Sequence, residues 1–116
     1  MPGSSKVKAH FERSSADVAA TYEAILKEAK RFGPVREEPK KTSIHLARRT
    51  AFAGVATQRA ALILTIKSDR DIKSTRVRKR EQASAHRWHI EVRLTTPGDV
   101  DAQVSEWLQR AYSLAG

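Results

Sequence analysis

The sequence predicts an α+β fold: an antiparallel sheet of four to five strands with an N-terminal and a C-terminal helix packed on one face. Three observations predict it. Apolar residues recur at steps of three and four in two stretches near the chain ends, which is helical spacing. Between them, several short stretches alternate apolar and polar residues, the spacing of strands with one face turned inward. The breaks between the first of these stretches are hairpin-sized, so those strands run antiparallel.

Residues 1–13 offer little beyond Val7 and Phe11 to bury and read as a flexible N-terminal arm, with residues 14–116 forming a single domain. Ser14 or Ser15 supplies a hydroxyl to cap the first helix, and Asp17 suits the positive end of its dipole. Val18, Tyr22, Ile25, Ala29 and Phe32 form its apolar stripe, which Leu26 widens. Lys27, Lys30 and Arg31 lie where unpaired carbonyls favour cations, and Gly33-Pro34 stops the helix. The last helix begins at Thr96, Pro97 and Asp99, with threonine as cap, proline at the first helical position and a carboxylate reaching back. Val100, Val104, Trp107, Leu108, Ala111 and Leu114 trace its stripe.

The strands come from what lies between. Ile44 and Leu46 alternate with Ser43 and His45, Leu62, Leu64 and Ile66 with Ile63, Thr65 and Lys67, and Trp88, Ile90, Val92 and Leu94 with His89, Glu91 and Arg93. The segment 52–57 is rich in alanine and holds Gly54, so it is a strand by position more than by propensity. Residues 35–38 suggest a short edge strand. The segment 68–85 is long, polar and nearly without apolar residues, and reads as a mobile loop, with a short strand or helix inside it as the alternative.

Composition narrows the function classes. There are no cysteines, which removes disulfides, thiolate metal sites and cysteine nucleophiles. No apolar run is long enough to cross a bilayer, and the first residues lack the apolar centre of a secretory signal, so a cytoplasmic location is expected. The 22 Lys+Arg against 13 Asp+Glu give a formal charge of +9, which favours nucleic acid or another polyanion as partner.

Two basic groups are the candidate nucleic-acid contacts. Arg70, Lys73, Arg76, Arg78, Lys79 and Arg80 crowd the segment read as a loop, and Arg36, Lys40, Lys41, Arg48 and Arg49 surround the first strong strand and its turn, with Arg48 and Arg49 taken as contacts. Such groups neutralise phosphates without fixed geometry, whereas the plainer reading is a charged surface that keeps the chain in solution. The candidate ligand site is His45, Trp88, His89 and Glu91. His45, His89 and Glu91 share the polar sheet face and could act as ligands or as an acid–base cluster if their strands are neighbours. Trp88 and Trp107, both read as inward, lie beside Ala51, Ala53, Gly54 and Ala56, where small side chains admit a helix closely or leave a cleft. His86 and His89 point to opposite faces of a strand, which argues against a shared metal. No nucleophile elbow, phosphate loop or dinucleotide glycine pattern occurs, so no cofactor is expected.

Several short patterns together resemble a known family. They are His10-Phe11 before the first helix, Phe32-Gly33-Pro34 at its end, Lys41-Thr42-Ser43-Ile44 leading into a strand, and Phe52-Ala53-Gly54-Val55. His89-Ile90-Glu91-Val92-Arg93-Leu94, Asp99, Trp107-Leu108 and Ala111-Tyr112 continue the series. In this order they resemble domain-of-unknown-function family 5655, from His10 onward. The resemblance implies an α+β fold and a bacterial, cytoplasmic protein, and it implies no activity. The reading of function is therefore a non-catalytic module that contacts an anionic partner through basic surface groups. The alternatives are a small-ligand pocket protein or enzyme, and a protein-interaction module or homodimer that covers the exposed sheet face.

Overall fold

Alternation along the strands divides the sheet of the computed structural model, which describes residues 5–116, into an apolar and a polar face. The elements run α1 (Ser5–Ala9), α2 (Ala16–Lys30), β1 (Arg36–Pro39), β2 (Ile44–Ala47), β3 (Ala51–Thr57), β4 (Leu62–Ser68), β5 (Val77–Ser84), β6 (Arg87–Leu94) and α3 (Ala102–Leu114). The strands form one antiparallel sheet of order β1-β2-β3-β4-β6-β5. Its apolar face and the stripes of α2 and α3 bury one core, which includes Val18, Tyr22, Ile25, Leu46, Phe52, Leu64, Val92, Trp107 and Leu108. The antiparallel run from β2 to β4 and the short edge strand β1 agree with the sequence reading.

The sheet has six strands rather than four to five. The added strand is β5, within the segment read as a mobile loop. It was hidden because a strand on the sheet edge, with nearly every side chain exposed, carries no alternation of polarity. Its backbone pairs with β6 through a ladder interrupted at Arg78 and near its C-terminal end. The connection 69–76 passes across β6 on the helix-covered side, where Ile72 packs against the core.

Both helix starts differ in detail from the expected caps. Ser15 stands at the N-cap of α2 without a capping side-chain bond. Instead Ser14 donates its hydroxyl to the Gln58 carbonyl at 2.8 Å, and the Ser15 amide donates to Arg59 at 2.8 Å, so these serines tie the helix to the β3–β4 turn. Thr96, Pro97 and Asp99 do form a cap, but over a 3-10 turn at Pro97–Asp99. Asp101 caps α3 itself, accepting from the Val104 amide at 3.1 Å. The residues ahead of Phe11, expected to lack fixed structure, hold α1 within the described part, and Val7 is buried. Residues 1–4 of that arm lie outside the described residues.

The C-terminal end of α2 is shaped by Gly33, whose φ of 149° disfavours any side chain. Space forbids one as well. A Cβ there would stand 2.2 Å from the Tyr112 hydroxyl, which donates to the Pro34 carbonyl at 3.0 Å. Tyr112 packs edge-on to Phe52 at 5.3 Å, and α3 is thereby locked to the sheet. Tyr22, buried on α2, donates to Glu37 of β1 at 2.5 Å. Burial and that neighbouring carboxylate push its hydroxyl well above the usual tyrosine range.

Candidate functional site

With both long helices on one face, the other face of the sheet is left open, and its side chains are the polar members of each alternation. One row across it reads His45, Gly54, Thr65 and Glu91 on β2, β3, β4 and β6. A second places Lys67 opposite His89 and His89 opposite Glu81. Because Gly54 and Ala56 of β3 have almost no side chain, a gap is left between the side chains of the neighbouring strands. The result is a groove of about 290 Å³ lined by Ser43, His45, Ala51, Gly54, Thr65, Lys67 and His89 among others.

The groove has an apolar floor and nitrogen-bearing walls. The His45 ring lies over the glycine, and a Cβ built on Gly54 would meet its Cδ2 at 3.6 Å, an ordinary contact. Lys67 and His89 stand on the far wall, and no carboxylate lines the groove. The closest acid to either imidazole is Glu81, whose Oε1 lies 3.9 Å from His89 Nδ1, beyond hydrogen-bond length. Among the described residues no group of three His, Cys, Asp or Glu is arranged to hold a metal ion.

Of the predicted ligand residues, the structure brings His45 and His89 to one groove. Glu91 shares their face, opposite Thr65 and Lys79, but lies outside the lining. Trp88 has the parity of Ile90 and Val92 and belongs to the other face, where it is half-buried while Trp107 is buried. The floor of the groove is therefore alanine and glycine, with no tryptophan in it. Sequence reasoning did not single out Thr65 and Lys67. Their alternation with Leu64 and Ile66 placed them on the polar face, but only the pairing of β4 with both β3 and β6 sets them between the histidines.

The eight basic candidates are dispersed. Arg48 lies over the Tyr112 ring at 4.5 Å and donates to the Tyr112 carbonyl at 3.2 Å. Arg76 donates to both carboxylate oxygens of Asp101 at 2.9 Å and to the Asp99 carbonyl at 2.8 Å. Arg80 pairs with Asp71 at 2.8 Å, and Arg70 stands 3.6 Å from Asp69. Arg49, Lys73, Arg78 and Lys79 are exposed. Arg48 and Arg49 follow β2, whereas Arg76 directly precedes β5 and Arg78 lies at its start, at the opposite edge of the sheet, with three strands between. At about 4.8 Å per strand, that is roughly 19 Å across the sheet alone.

Two carboxylates near the start of α3 are held charged. Hydrogen bonds from the backbone amide of Thr95, then from Thr96 and the Thr95 hydroxyl, keep Asp99 below the usual carboxylate range against a partial burial. The Val104 amide does the same for Asp101, with Arg76 adding to it. Both serve the architecture of the β6–α3 connection.

The architecture is that of a small α+β domain with one covered and one open sheet face. The model of a domain of unknown function (DUF5655) matches residues 7–115, and the chain belongs to that family. No curated protein and no solved structure matches it. Among the described residues no helix is long and apolar enough to cross a membrane.

Proposed function

We propose that this domain is a non-catalytic module that binds an anionic partner, such as nucleic acid, on the open face of its sheet. The observation that carries the reading is the groove itself, where Lys67, His45 and His89 surround a floor of Gly54 and alanines with no carboxylate in the lining. Such a floor accepts a flat or apolar group, and Lys67 with the two imidazoles offers hydrogen-bond donors beside it, on a face that also carries Glu38, Glu81 and Glu91. An acid–base reading would draw on His45 and His89, the two imidazoles of the groove. Among the described residues His45 makes no side-chain hydrogen bond, and Glu81 Oε1 stands 3.9 Å from His89 Nδ1.

Fluorescence anisotropy with labelled single-stranded and duplex DNA and RNA, each at two salt concentrations, tests the proposal. We expect saturable binding that weakens with salt and is lost in Ala56→Phe, which fills the groove from β3. Absence of binding at low salt, or full binding by the filled variant, would overturn it.

A further inference from the structure

A second cationic feature sets Lys40 and Lys41, from the basic group around the first strong strand, beside Lys6. Between α1 and the turn that joins β1 to β2 is an open cleft of about 430 Å³, lined by Lys6, Ala9, His10, Pro39, Lys40 and Lys41. Its backbone is fixed. His10 Nε2 contacts the Lys40 carbonyl at 2.9 Å, Thr57 donates its hydroxyl to the His10 carbonyl at 2.6 Å, and the Lys40 amide closes the turn on Ser43 at 2.7 Å.

Among the described residues no carboxylate pairs with the three lysines of that frame. Lys6, Lys40 and Lys41 are exposed, no acidic residue lines the cleft, and the two acids just before it in the chain are engaged elsewhere. Glu37 accepts from Tyr22, and Glu38 pairs with Arg36 at 3.2 Å. Arg70, Arg76 and Arg80, by contrast, each face a carboxylate. Exposed ammonium groups lining one cleft that no described carboxylate lines form a site where a phosphate releases condensed counterions.

The cleft and the groove share no lining residue, and α1 stands on the helix-covered side, where Val7 joins the core, so a chain anchored in the cleft reaches the groove round the β1–β2 turn. Lys41 lies two residues before Ser43 and four before His45, and both of those line the groove. We infer that the cleft of Lys6, Lys40 and Lys41 is the phosphate anchor of a single-stranded nucleic acid, whose chain runs on past Ser43 to lay a base in the groove. This rests on the proposed binding face and adds to it the partner and the anchoring residues. A single strand is chosen because only an unpaired base can present a flat face to the floor at Gly54 and Ala56.

The test is anisotropy with a labelled single-stranded oligonucleotide over a series of salt concentrations, comparing the unaltered protein with Lys40→Glu/Lys41→Glu, with Lys6→Glu and with Lys27→Glu/Lys30→Glu. The last pair changes net charge equally on α2, away from the cleft. We expect Lys40→Glu/Lys41→Glu to bind about tenfold more weakly or worse and to lower the salt slope by about 1.4, two phosphates at about 0.7 each. Lys6→Glu lowers the slope by about half as much, and the α2 pair stays within about twofold of the unaltered protein. Circular dichroism confirms that each variant is folded, and Lys6→Glu carries the test should the turn variant misfold. If the α2 pair weakens binding as much as the turn pair, the cleft is no anchor, although Ala56→Phe can still show the groove to be the binding face. Equal affinity for a duplex would overturn the single-strand assignment.

Discussion

On the covered face of the sheet, the row Ile44, Val55, Leu64 and Val92 crosses four strands with no exposure to solvent, whereas the next residue of β2 and the neighbouring residues of β3, β4 and β6 put His45, Gly54, Thr65 and Glu91 on the open face. The two rows share backbone, ladder and register, and differ only in parity. The covered row is apolar and its side chains fill the space beneath α2 and α3. The open row mixes a glycine with polar groups and leaves a groove that nothing in the core requires. Stability should therefore be concentrated on one parity and binding on the other.

The largest expected effect of breaking this division is on the covered side. Leu64→Ala leaves a cavity under the helices and should cost about 2–5 kcal/mol in urea unfolding, while Thr65→Ala, one residue away, should stay within about 0.5 kcal/mol. Next in size is Gly33→Ala, where an unfavourable φ and a Cβ 2.2 Å from the Tyr112 hydroxyl act together. On the order of 2 kcal/mol is expected from the backbone alone. Adding Tyr112→Phe removes the clashing atom, so the double variant should unfold at lower cost than the sum of the singles.

A smaller effect sits at the β6–α3 connection. Asp99→Ala should lose about 1 kcal/mol at neutral pH, the usual cost of a missing cap. Because the folded carboxyl titrates below its ordinary value of 3.8, its contribution is present above that value and fades as pH falls through the lower folded one. The gap between the unaltered protein and the variant should therefore narrow below pH 3.8, as urea melts at pH 7 and in acid will show. The smallest stability effect is that of Gly54→Ala on the open face, where a methyl group meets only ordinary contact with His45. It should leave the melting temperature nearly unchanged and weaken ligand binding by raising the groove floor.

How much of this was legible depended on where each residue's partners lie. The helices and β2, β4 and β6 were readable because burial on one side leaves a period in the sequence. β5 was not, since an edge strand written Val-Arg-Lys-Arg-Glu-Gln-Ala-Ser is polar on both faces and owes its place to β6. His45 and His89 could be put on one face by parity, but their approach to a common groove depends on β4 pairing with both β3 and β6, which no local pattern encodes. Trp88 followed the parity rule to the covered face, yet the end of the sheet leaves it half-buried. The basic residues were legible as charges but not as partners. Arg76 and Arg80 are held by Asp101 and Asp71, contacts that span 25 residues in the first case.

The division of labour between the two faces can be read directly by NMR. In a titration with a single-stranded oligonucleotide, the methyl signals of Ala56 and Thr65 and the imidazole signals of His45 and His89 should shift, while the methyls of Leu64, Val92 and Leu108 stay in place. Shifts confined to the helices and the covered row, or an open face that does not respond at saturation, would contradict the account.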